Sequence, residues 1–217
     1  MLPSSERDDA LLRAINAPVR GLGARNAALV KLRAGLFGPT WPLRSSCPSC
    51  KENSEFSVDA QSLATELAAA IPDAGQTHHL NVGERSIAFR LPSSDDLTEA
   101  ANSGEPDTTA LALLQRCVAN GDQVDLDVAT QEQLSTRMQE LDPAAVVSFR
   151  ITCPACSHAW EAVIDVGSAV WTEVKTAAER LLLDIDALAR TYGWSEPQIL
   201  ALSPLRRAAY LQLAGAA

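Results

Sequence analysis

The tetrapeptide "CPSC" at residues 47–50 recurs as "CPAC" at residues 153–156, and the reading of this pair decides the fold. Aligned on their cysteines, the two copies share more than the tetrapeptide. Glu55 falls on Glu161, Val58 on Ile164 and Asp59 on Asp165, so that C-P-x-C-x4-E-x2-[VI]-D occurs twice. A two-residue spacing lets both thiolates of a tight turn face one ion, and two such turns supply the four sulfurs of a closed tetrahedral site. Thiolates suit zinc, whereas calcium and magnesium take oxygen ligands. The pattern therefore predicts a structural Zn2+ held by Cys47, Cys50, Cys153 and Cys156. The pairs lie much farther apart than in a compact zinc ribbon, so the metal would join distant segments. Closing such a loop costs about 4 kcal/mol, against the ~10 kcal/mol or more that structural zinc supplies.

The runs "AVVSFRIT" and "HAWEAVIDV" alternate on either side of the second pair and predict a hairpin with the cysteines at its tip. The alternating "EFSVD" follows the first pair, and two knuckle hairpins meeting at the metal result. Helical periodicity marks "DDALLRAI", "ARNAALVKLRAGLFG", "AQSLATELAAA", "PSSDDLTEAA", "TTALALLQRCVAN" and a long helix over 168–192. Asn120-Gly121 is a natural helix stop, Thr130 with Gln133 reads as a capping box, Ser195 with Gln198 as another, and Ser203-Pro204 starts the last helix. A small hairpin is expected around Gly83 between "HHLNV" and "SIAFRL". These elements predict an α+β fold: zinc-knuckle β-hairpins joined at a four-cysteine site, surrounded by helices, with a mostly helical insertion. The expected division is an N-terminal helical arm over 1–45, a knuckle core over 46–70 plus 143–217 that carries the C-terminal helices, and the insertion over 71–142.

Composition limits the function. With 217 residues, 47% of them hydrophobic, the chain can bury one core of ordinary size. Its net charge of −9 repels phosphate backbones and disfavours nucleic acid as a ligand. The charged start, without an apolar h-region, and the lack of any run near the ~20 apolar residues of a membrane helix point to a cytoplasmic protein with no membrane contact. In that reducing compartment paired cysteines read as metal ligands rather than disulfides. Cys117 falls on an apolar helical face and reads as a buried small hydrophobe. His78 and His79 at a strand edge read as exposed turn residues, and His158 is superfluous once four cysteines complete the shell.

Other chemistries fit less well. Cys-Pro-x-Cys also occurs in thioredoxin-like redox proteins, but there a helix follows the motif, whereas strands follow both copies here. A zinc deaminase would need His-x-Glu upstream of its cysteines, and neither copy has it. With no nucleophile elbow, phosphate loop or HExxH helix either, no enzyme and no small-molecule substrate are expected. A zinc-ribbon regulator of transcription would need a basic face, for which Arg206 and Arg207 form one small patch. Trp194, Arg206, Arg207 and Tyr210 form either a partner-binding surface or core packing beside solvated arginines.

The segments "ARNAALVKLRAGLFG" leading into "CPSCKENSEFSVD", "IAFRLPSSDDL", "ALLQRCV", "ITCPACSHAWEAVIDV" and "YGWSEPQILALSPLRRAAYLQL" together resemble the T-even-type phage baseplate protein family, as found in phage-like contractile injection system clusters. The first copy departs from the aromatic-rich form, with Ser54 where the second has Trp160. The resemblance implies a non-enzymatic role in the baseplate hub, as assembly chaperone or minor subunit. Its partners would be hub, spike or other tail proteins, and its place the cytoplasm or the assembled contractile particle.

Overall fold

In the computed structural model, which describes residues 4–17, 19, 21–72, 75–101, 106–119 and 126–215, two antiparallel hairpins follow one plan. Strand β1 (Thr40–Ser46) pairs with β2 (Asn53–Asp59), and β5 (Val147–Thr152) with β6 (Ala159–Ile164). Their registers coincide. Leu43 faces Phe56 and Arg44 faces Glu55 in one, Phe149 faces Ala162 and Arg150 faces Glu161 in the other. The period of two buries Trp41 and Leu43 in the first hairpin and Val147 and Ala162 in the second, leaving the Arg–Glu pairs on the solvent face.

Each hairpin ends on an aspartate that starts a helix. Asp59 accepts the Ser62 N–H at 2.7 Å to cap α3 (Ala60–Ala69), and Asp165 accepts the Ser168 N–H at 3.0 Å at the start of α7 (Val166–Tyr192). The repeated D of the sequence pattern is thus a helix cap, and α7 begins two residues before the expected 168 because Asp165, not Ser168, precedes its first turn.

Helices α1 (Ser4–Ala14) and α2 (Leu22–Phe37) precede the first hairpin, and α2 packs on α3 with Leu29 and Val30 fully buried. Two glycines permit close approaches. The Gly23 N–H in the first turn of α2 donates to Asp142 at 3.0 Å, and a Cβ there would enter that carboxylate and the Ala144 methyl. Asn26 then donates to the Ala144 and Ala145 carbonyls at 2.9 and 3.1 Å, so the turn Pro143–Ala145 before β5 is clamped to the helix before β1. Gly167 likewise abuts the Asp8 carboxylate, whose partner Arg25 stands 3.3 Å away; burial pushes Asp8 up to about 6 despite that cation.

The segment between the hairpins has its own core. Strands β3 (His78–Val82) and β4 (Arg85–Phe89) turn at Gly83, and with α5 (Pro106–Cys117) and α6 (Val128–Leu141) they enclose Phe89, Leu114, Cys117, Leu134 and Met138. Cys117 is buried, as its helical face predicts. The expected stop at Asn120-Gly121 lies outside the described residues. The start of α6 differs from the expected Thr130–Gln133 box. Asp127 caps this helix, accepting the Thr130 N–H at 2.8 Å, because a carboxylate three residues upstream complements the helix dipole better than a hydroxyl inside the first turn.

In α4 (Ser94–Ala101), Asp96 is 2% exposed and fully engaged. Arg90 grips it with two hydrogen bonds of 2.6 and 2.8 Å, Arg116 adds one at 3.3 Å, and Ser93 donates its N–H at 2.9 Å and hydroxyl at 2.7 Å. The Arg90 hydrogen bonds hold the Asp96 carboxyl well below the usual carboxylate range.

Residues 1–170 form one compact unit and 171–217 a second. In the second, the end of α7, α8 (Glu196–Leu200) and α9 (Pro204–Leu213) enclose Leu188, Ile199 and Leu211. The capping box of Ser195 with Gln198 and the Ser203 cap stand where the sequence puts them. Among the described residues no helix is long and apolar enough to cross a membrane.

Asp96→Asn is expected to destabilise the protein by about 2–3 kcal/mol at neutral pH, since it removes a charge that two arginines face in a buried place. Because the folded pKa of Asp96 is depressed, its contribution is present above the unfolded value near 4 and is lost as pH falls below it. Chemical denaturation from pH 2 to 7 should therefore show the gap between wild type and Asp96→Asn closing below about pH 4.

Candidate metal centre

The knuckle turns repeat atom for atom. The Cys47 N–H donates to the Glu52 carbonyl at 2.8 Å and the Lys51 N–H to the Cys47 carbonyl at 2.9 Å; the Cys153 N–H donates to His158 and the Ser157 N–H to Cys153, both at 2.9 Å. Reversal within so few residues needs a left-handed residue after each second cysteine. Lys51 takes φ 65° and Ser157 φ 59°, a conformation that costs about 1–2 kcal/mol for a residue with a Cβ.

These turns bring four sulfurs together. Cys47 Sγ lies 3.7 Å from Cys156 Sγ, Cys50 Sγ lies 3.6 Å from Cys153 Sγ, and all four sulfurs lie within 4.8 Å of one another. A tetrahedral zinc with Zn–S bonds of ≈2.3 Å would hold its sulfurs about 3.8 Å apart. The four cysteines therefore have the spacing and the donor chemistry to hold a metal ion. In each pair the first cysteine is buried and the second exposed, which leaves the cluster at the surface. The hairpins also meet through Phe56 and Phe149, whose rings stand 5.7 Å apart.

Two of the thiols are shifted in opposite directions. The backbone N–H of Cys156, helped by that of Ala155, draws Cys153 down to about 7. The Glu52 N–H pulls Cys50 the same way, but hydrogen sharing with Cys153, Cys156 and Cys47 outweighs it and pushes Cys50 up to about 12. Ionised sulfurs this close repel one another, and a metal ion bound among them would offset that repulsion.

His158 gives its carbonyl to the turn while its ring stacks on Trp160 at 6.3 Å, and it is not part of the cluster. His78 and His79 belong to β3 instead of a turn, paired with Phe89 and Ala88. In the C-terminal unit Trp194 stacks on Tyr192 at 4.7 Å and meets Tyr210 edge-on at 4.9 Å. Arg207 pairs with Asp184 at 3.6 Å, and Arg206 is exposed. Sequence reasoning missed Lys51 and Ser157, which share a position but no residue type; the signal was their place directly after a Cys-Pro-x-Cys turn.

An α+β chain whose duplicated hairpins converge on a cluster of four cysteines is a protein built around a site that could hold a metal ion. Residues 22–166, more than half of the chain and both knuckles, match the family model described as T4 bacteriophage base plate protein, and the chain belongs to that family. No curated protein and no solved structure matches it.

Lys51→Gly should raise stability by about 0.5–1 kcal/mol by removing left-handed strain, and Lys51→Val should lower it by more, with Ser157 responding alike. Melting temperatures of the four variants check this.

Proposed function

We propose that this protein is a non-enzymatic component or assembly chaperone of the baseplate hub of a contractile phage tail or phage-like injection system, cross-linked by one structural Zn2+. The family match carries the reading, because the matched stretch contains both knuckles and the helices between them. Cys47, Cys50, Cys153 and Cys156 are the proposed ligands; four protein sulfurs saturate a tetrahedral ion and leave no position for substrate. The ion's role is to fix the two copies so that neighbouring helical faces present a defined surface. Hub, spike or other tail proteins are the proposed partners. Trp194, Tyr210 and Arg206 supply part of the contact surface, with Arg207 braced by Asp184. The arm over 1–45, the core over 46–70 with 143–217 and the insertion over 71–142 are the corresponding working parts.

Elemental analysis of purified protein should find one zinc per chain. Cys153→Ser should lose it and unfold at lower temperature, whereas Cys117→Ala should keep it; four freely titratable thiols without zinc would overturn the metal reading. Acidification should release the ion, since each ligand must stay deprotonated. A deletion strain should yield missing or malformed baseplates, and co-purification should recover hub or spike proteins. Normal particles from that strain would refute the baseplate role.

A further inference from the structure

The C-terminal unit carries an apolar stripe that its own core does not use. Helix α9 turns Tyr210 and Leu211 inward, while Leu205, Ala209 and Leu213, every fourth residue, line the opposite face. Leu205 is 82% and Leu213 78% exposed, and Ala209 is exposed as well. Such an i, i+4, i+8 row is the ridge by which helices interdigitate.

We propose that two copies of this protein associate through this face, their α9 helices antiparallel about a two-fold axis at Ala209. Two features select a second copy as the occupant. The stripe is palindromic in size: about that axis Leu205 of one copy meets Leu213 of the other, and alanine faces alanine where the helices cross, which permits the close approach that larger side chains would prevent. The charges agree with it. Acidic and basic side chains balance in residues 171–217, so the whole net charge of −9 resides in residues 1–170. Copies that repel through their first units can meet through the neutral one. On α9 itself Arg207 is engaged by Asp184, and Arg206 falls opposite Gln212 of the second copy, so no like charges are juxtaposed. One short helix per copy makes a small interface, and such contacts are weak and reversible.

The dimer does not depend on the baseplate reading. Analytical ultracentrifugation of the full chain should show the average mass rising from 23.1 kDa towards twice that value through the micromolar range. Leu205→Lys with Leu213→Lys should remain monomeric at every concentration while keeping the wild-type circular dichroism spectrum and melting temperature. As a second reading, Ala209→Cys at the axis should give a disulfide-linked dimer under mild oxidation that neither wild type nor Gln212→Cys gives. A wild type that stays monomeric, or a dimer that survives the double lysine variant, overturns the proposal. A monomeric wild type whose capture of spike or hub protein is lost in that variant assigns the face to the baseplate instead.

Discussion

A two-stranded hairpin has too little buried face to stand alone in water, and everything around the four cysteines follows from that limit. Among the described residues each knuckle hairpin consists of two strands with no third beside it. The hairpins meet at the sulfur cluster at their tips and through the Phe56–Phe149 contact between them. At their other end the same strands run into helices, so a hairpin cannot shift register without pulling Asp59 or Asp165 off the helix it caps.

The second constraint is the use of aspartate. Asp59, Asp127 and Asp165 each accept a backbone N–H in a first helical turn, Asp142 accepts from the first turn of α2 across a large stretch of sequence, and Asp96 sits at the start of α4 between two arginines. Part of the acidic excess of this protein is therefore structural, placed where helix dipoles and buried donors offset it. Asp142 shows the cost. One of its oxygens serves Gly23 while the other is buried without a partner, and burial raises its pKa against the backbone N–H groups that lower it. Its place is dictated by the need to hold the turn before β5 against α2.

Much of this was legible before any coordinates. The duplicated tetrapeptide with its trailing Glu and Asp located both hairpins and the four sulfurs, because spacing in a tight turn is a local property that sequence records directly. The caps at Ser195 and Ser203 were legible for the same reason. The strand before Cys47 was harder to see: Pro42 interrupts the strand signal, and only its place in a strand with one partner lets it be tolerated there. The cap at Asp127 lost to a better-looking Thr–Gln pattern, since two overlapping motifs differ only in how they complement the dipole. The Arg90–Asp96–Arg116 cluster and the Gly23–Asp142 contact join residues from separate elements, and no local pattern encodes which charges will be buried together.

What the duplication means for the family's role follows from where the two copies differ. The knuckles, registers and capping aspartates are kept in both, while the helices that leave them are not: α3 is 10 residues long and α7 is 27. The shared half of the plan brings the four cysteines together, and the divergent half sets what leaves each hairpin. On the proposed function, an ion held by all four cysteines has no position left for another ligand, and specificity for baseplate partners then falls to the helices that leave the hairpins and to the insertion between the copies. The cluster brings the two hairpin tips together, while the helices that leave the hairpins are where the copies have diverged.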